Sequence, residues 1–155
     1  MKQKSLKITH IMIKAFYIIL TFVTVIPPIV YKAKLFDGDI ITVYYFTLLA
    51  AVPAGAVALV CLDRLMNNLK NKIVFDTGNV KKLQTLGWCC FYASLVTLLA
   101  FGVTSIRCLS VIGVYLYSPL FIIGIGEVFV GLVVRVVMHT FENAIEIKDE
   151  NDLTI

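Results

Sequence analysis

Four stretches of the chain approach the roughly 20 consecutive apolar residues that a helix needs to cross the hydrocarbon core of a bilayer. They fall at about 13–32, 40–62, 86–106 and 116–138. The rest of the composition leaves no room for a soluble alternative. Hydrophobic residues make up 59% of the 155 positions and charged residues 15%, against about 45–50% and about 25% in an ordinary soluble domain. One core of this size cannot hide that much apolar surface, so the excess must face lipid. The expected fold class is all-α, an integral membrane four-helix bundle forming a single membrane domain over 1–155. A free cytosolic enzyme, a disordered tail and a disulfide-stapled secreted module are excluded.

The distribution of positive charge orients the bundle. Lys2, Lys4, Lys7 and Lys14 precede or open the first span, and Arg64, Lys70, Lys72, Lys81 and Lys82 lie in the 63–85 segment. With Arg135 and Lys148 these make eleven cations on one side, against Lys32, Lys34 and Arg107 on the other. Lysine and arginine concentrate on the cytoplasmic side, so both termini, the 63–85 loop and the 139–155 tail are expected in the cytoplasm. The first span starts like a signal peptide, but Pro27-Pro28 and Tyr31-Lys32 follow it without an A-x-A cleavage pattern, so it is read as retained. Cys61, Cys89, Cys90 and Cys108 show no C-x-x-C spacing and read as small apolar residues.

Glu127 is the sharpest residue in the chain. Ser118-Pro119 is a favourable helix start, with Ser at the N-cap and Pro in the first turn, which leaves 107–118 as an interfacial loop. Counted from Pro119, Glu127 lies roughly 12 Å along the last span at 1.5 Å per residue. A carboxylate at that depth must face protein or water. Gly124, Glu127, Gly131 and Arg135 share one helical face, and the two glycines would let a second helix approach closely. These four residues are a candidate intramembrane switch. The same carboxyl also reads as a lock that bonds Ser, Thr or Tyr on another helix, or as an ion or proton site.

In the second span Ala50, Ala54 and Ala58 form a stripe of small residues around Pro53, suited to close packing. Beyond it Leu62, Leu65, Met66, Leu69 and Ile73 keep a helical period among Arg64, Lys70 and Lys72, an amphipathic extension along the membrane surface. The segment 75–80 reads as a turn, with Asp76, Thr77 or Asn79 capping the third helix. Lys81 and Lys82 then fall at headgroup depth and Trp88 in the interfacial aromatic belt.

The 139–155 tail differs in charge. Glu142, Glu146, Asp149, Glu150 and Asp152 against Lys148 give it a net side-chain charge of −4, and the 63–85 segment nets +3. The helix of the fourth span is expected to continue to about Lys148, with Phe141 and Ile145 on one face. Phe141, Ile145, Asp152, Leu153 and Ile155 are candidate docking residues, for a basic partner or for the chain's own 63–85 segment. The bland reading is a solvated tail.

No catalytic pattern is present: His10 and His139 belong to no H-E-x-x-H, and neither a phosphate-binding glycine loop nor G-x-S-x-G occurs. The chain reads as non-enzymatic, with no cofactor, no metal site and no direct nucleic-acid binding.

Three stretches carry a resemblance to a known family. They are Val74-Phe75 through Asn79-Val80-Lys81-Lys82-Leu83 with Gly87-Trp88, the Gly124–Arg135 region, and Lys148-Asp149-Glu150-Asn151-Asp152-Leu153-Thr154-Ile155. Together they resemble the bacterial membrane-protein family DUF2975, whose function is unknown. The resemblance implies four membrane helices in a bacterial cell membrane and a small helix-turn-helix regulator encoded alongside. The expected function is therefore a membrane-embedded regulatory protein that binds or sequesters a small cytoplasmic DNA-binding regulator. The alternative is a small homo-oligomeric transporter or channel with Glu127 as its ion or proton site.

Overall fold

The structure is a computed structural model. It describes the backbone of residues 2–32, 39–71, 73–107 and 111–152, and the side chains of 7–26, 28–29, 41–71, 73–107 and 115–151. Within these limits the chain is all-helical: α1 (Lys2–Lys32), α2 (Asp39–Lys70), α3 (Thr77–Arg107) and α4 (Val111–Asp152). Each helix holds a run long and apolar enough to cross a membrane, the pattern of a multi-pass membrane protein.

Burial supports the same conclusion. Many large apolar side chains point outward; Ile122 and Phe129 are 68% and 67% exposed, while a smaller set that includes Leu83, Tyr117, Leu120 and Met138 is buried. The buried positions also include the polar Asn79, Ser94, Thr97 and Thr104. Large apolar groups outside with polar groups held among the buried ones is what lipid demands, since helix association there rests on close packing and hydrogen bonds. Helical hydroxyls also bond the carbonyl one turn back in their own helix, as Thr47 does to Val43 (2.8 Å) and Thr104 to Ala100 (2.7 Å).

Neighbours in sequence are neighbours in space: α1 packs on α2, α2 on α3, and α3 on α4. Pairings across each interface run in opposite directions. His10 of α1 lies 3.6 Å from Asp63 near the end of α2, Asn68 of α2 bonds Asn79 of α3, and Phe75, just before α3, meets Phe141 late in α4. One end of the molecule therefore gathers the start of α1, the α2–α3 connection and the last turns of α4. At the other end α2 also reaches α4, where the Tyr44 hydroxyl donates to the Leu116 carbonyl (3.1 Å) and its ring stacks on Tyr117.

Between the second and third spans α2 continues to Lys70 and α3 begins at Thr77, so most of 63–85 is helical. Asp76 supplies the cap: its Oδ2 accepts from the Gly78 N–H (3.1 Å), and its carbonyl accepts from the Asn79 N–H (2.9 Å). The fourth helix begins at Val111, so Ser118-Pro119 lies inside it and Tyr115 and Tyr117 are helical rather than in a loop. Pro119 has no N–H for the Tyr115 carbonyl four residues earlier, and the Ser118 hydroxyl donates to that carbonyl instead, at 2.8 Å. With the orphaned acceptor served, the helix runs through.

Candidate functional site

The seam between α3 and α4 is built from two stripes. On α4, Tyr117, Leu120, Gly124, Glu127, Gly131, Val134 and Met138 recur at alternating steps of three and four and are buried or half-buried, the spacing that packs helices side by side. On α3 the matching stripe is Leu83, Gly87, Cys90, Ser94, Thr97 and Thr104. The glycines set the separation. A Cβ at Gly124 would stand 2.7 Å from Leu98 Cδ2, and one at Gly131 would stand 3.2 Å from Cys90 Cβ and the Phe91 ring. A Cβ at Gly87 would stand 3.8 Å from the Gly131 carbonyl oxygen. The helices touch here because three side chains are missing.

That approach brings Glu127 to Thr97. The Thr97 Oγ1 lies 2.9 Å from Glu127 Oε2 and 2.8 Å from the Ala93 carbonyl. Gly124, Glu127 and Gly131 are thus brought together on the α3-facing side of α4. Arg135 is not. Its stem lies against Gly87, and its guanidinium carbon sits 5.7 Å from the centre of the Trp88 ring, a cation–π contact.

Toward its carboxyl end, α4 passes the start of α3. Phe75 packs on Phe141 with ring centres 5.9 Å apart, so the apolar side of Phe141 is occupied by the chain's own turn. Beyond it a cavity of about 540 Å³ is lined by Thr77 and Val80 of α3 and by Glu142, Ile145, Glu146, Asp149 and Glu150 of α4. This is a groove with one acidic wall and a small apolar floor, and the amino end of α3, positive by its helix dipole, forms the other wall. His139 Nδ1 lies 2.8 Å from Glu142 Oε2 at its upper edge. Asp152 is the last helical residue; its side chain, Leu153 and Ile155 lie outside the described residues. Among the described residues no three His, Cys, Asp or Glu side chains are grouped as a metal ion requires.

Asn79 is the residue whose role the sequence understated. It is wholly buried. Its Oδ1 accepts from Asn68 Nδ2 (2.7 Å) and Lys82 Nζ (3.4 Å), and its Nδ2 donates to the Ile73 and Val74 carbonyls (2.9 and 3.0 Å). One amide thereby ties the end of α2, the connection and the first turn of α3. The only signal in the sequence was an Asn within three residues of Asp76-Thr77-Gly78, which reads equally as a cap.

Comparison with known families places the chain in one of them. The family described as "Protein of unknown function (DUF2975)" covers residues 14–155. No curated protein and no solved structure matches the chain.

Proposed function

The chain belongs to the DUF2975 family, and from its acidic groove together with the regulator that the family resemblance implies we propose that it is a membrane-embedded regulatory protein that binds or sequesters a small cytoplasmic helix-turn-helix transcription regulator. One observation carries the reading: α4 is a single helix from Val111 to Asp152. It therefore joins the Glu127–Thr97 contact rigidly to the acidic groove, whose two walls belong to the same pair of helices. A change that separates Thr97 from Glu127 would shift α4 along α3 and reshape the groove. A DNA-binding regulator presents a basic surface to phosphate, which is complementary to the Glu142, Glu146, Asp149 and Glu150 wall. Docking there would cover the surface that contacts DNA, so the same contact that recruits the regulator would silence it.

In this reading the protein is not an enzyme. It lies in a bacterial cell membrane with the groove and both termini in the cytoplasm, as eleven of its fourteen cations favour. The test is retention of proteins from native membranes on three baits: the full chain, a chain ending at Met138, and a Glu142→Lys/Glu146→Lys/Glu150→Lys variant. A small helix-turn-helix protein held by the full chain alone, and unable to bind its DNA while held, is the expected result. Equal retention on all three baits overturns it. Ion or proton flux in proteoliposomes that disappears in Glu127→Gln and survives removal of 139–155 would establish the transporter alternative instead.

A further inference from the structure

The outward face of α3 changes character along its length. Lys81, Thr85 and Trp88 lie at i, i+4 and i+7 on one exposed side, and Tyr92, Leu95, Leu99 and Val103 continue it. Cation, hydroxyl, indole and phenol followed by aliphatic side chains is the order met on passing from a headgroup layer into hydrocarbon. Trp88 is 60% exposed, and its ring is the platform on which α4 places the Arg135 guanidinium, 5.7 Å away. Among the described residues no carboxylate lies within ion-pair reach of Arg135 or Lys81. From Thr77 to Arg107, α3 contains no Asp or Glu, and Glu142, the acidic group on α4 two turns beyond Arg135, is engaged by His139. An arginine at the edge of a spanning segment is thus held in a fixed orientation with its planar donors uncommitted.

We propose that Arg135, seated on Trp88 and supported by Lys81, binds the phosphate of an anionic phospholipid headgroup. Guanidinium donors match phosphate oxygens two at a time, and the indole beneath keeps the fork at headgroup depth. The second cation selects for a headgroup whose phosphate has no positive charge of its own. An anionic phosphatidylglycerol headgroup at Arg135 also lies in the field of Lys81, two turns (about 10 Å) along α3, whereas the choline of phosphatidylcholine would be repelled by both cations. The bound lipid would bridge α3 and α4, since the platform belongs to one helix and the cation to the other. The site stands independently of the proposed regulator.

Trp88 is the only tryptophan in the chain, so its fluorescence reads this site alone. The full-length protein is reconstituted in vesicles where the brominated, quenching lipid is either phosphatidylglycerol or phosphatidylcholine at the same mole fraction. Stronger quenching by the anionic lipid is expected, corresponding to a preference of roughly fivefold per basic group engaged. Arg135→Gln should remove most of that preference, Lys81→Gln part of it, and Arg135→Lys should retain more than Arg135→Gln. Equal quenching by the two lipids in the unaltered protein overturns the proposal, and needs no variant to fold. A preference unchanged in Arg135→Gln overturns it as well. So does loss of the preference on adding inorganic phosphate but not chloride at matched ionic strength, which would assign the site to the free anion.

Discussion

The Thr97 hydroxyl of α3 stands 2.9 Å from Glu127 Oε2 on α4 and 2.8 Å from the carbonyl of Ala93 in its own helix. A hydroxyl has one proton to donate and two acceptors here. The arrangement is complete only when position 127 supplies a donor of its own, as a carboxyl bearing its proton does and as an amide would. Glu127→Gln should therefore keep the α3–α4 contact, with thermal stability in detergent within about 1 kcal/mol of the parent. Thr97→Val, which cannot bond Glu127, should cost about 0.5–1.5 kcal/mol, near the value of interhelical hydrogen bonds in membranes. A larger loss in Glu127→Gln than in Thr97→Val would contradict this account.

Three α4 glycines should rank by what surrounds them. Gly124→Ala would push a methyl to 2.7 Å from Leu98 Cδ2 and 2.8 Å from its Cγ, so Leu98 must move, at about 1–3 kcal/mol. Gly131→Ala meets Cys90 and Phe91 at 3.2 Å and should cost less. Gly126 has nothing within 4 Å, so Gly126→Ala should be neutral or gain up to about 1 kcal/mol of helix propensity. Melting temperatures of the three variants check the order, and adding Leu98→Ala to Gly124→Ala should recover part of the loss.

Asn79 should resist even its closest relatives. Asn79→Ala leaves the Ile73 and Val74 carbonyls and the Asn68 amide without their partner in a buried site, an expected loss upwards of about 2 kcal/mol. Asn79→Asp keeps the shape but turns an acceptor toward two carbonyls, and should be no milder. Hydrogen exchange at the amides of residues 73–80 is the measurement, and unchanged protection in either variant would show that the connection is held some other way.

Phe141 separates the docked tail from a free one. Phe141→Ala removes the contact with Phe75, worth about 1 kcal/mol beyond the area lost, and should loosen the last turns of α4. Tryptic cleavage at Lys148 should accelerate in the variant while the helices above Met138 keep their protection. Cleavage as slow as in the parent would show that Phe75 does not hold the tail.

The extent of each helix and the partner of each polar side chain were decided at different levels. Apolar runs and helical period are local properties, so the four helices, the shared face of Gly124, Glu127 and Gly131, and a cap at the start of α3 could all be read along the chain. Asp76 was one of three residues able to make that cap, and only the folded turn selected it. The same local rules misplaced the start of α4: Ser-Pro favours a helix end, yet the Ser118 hydroxyl serves the Tyr115 carbonyl that Pro119 cannot, and in lipid a continuous helix is the way to satisfy the remaining backbone. What no local rule contains is which helix faces which. Thr97 and Glu127 are thirty residues apart, Arg135 finds the Trp88 ring on the same neighbouring helix, and Asn79 becomes a hub because two helix ends converge on it. Sequence determined that these groups lie on helices in lipid; the packing of α3 against α4 and α2 decided their partners, because a buried polar group is satisfied only by what tertiary structure places within 3 Å of it.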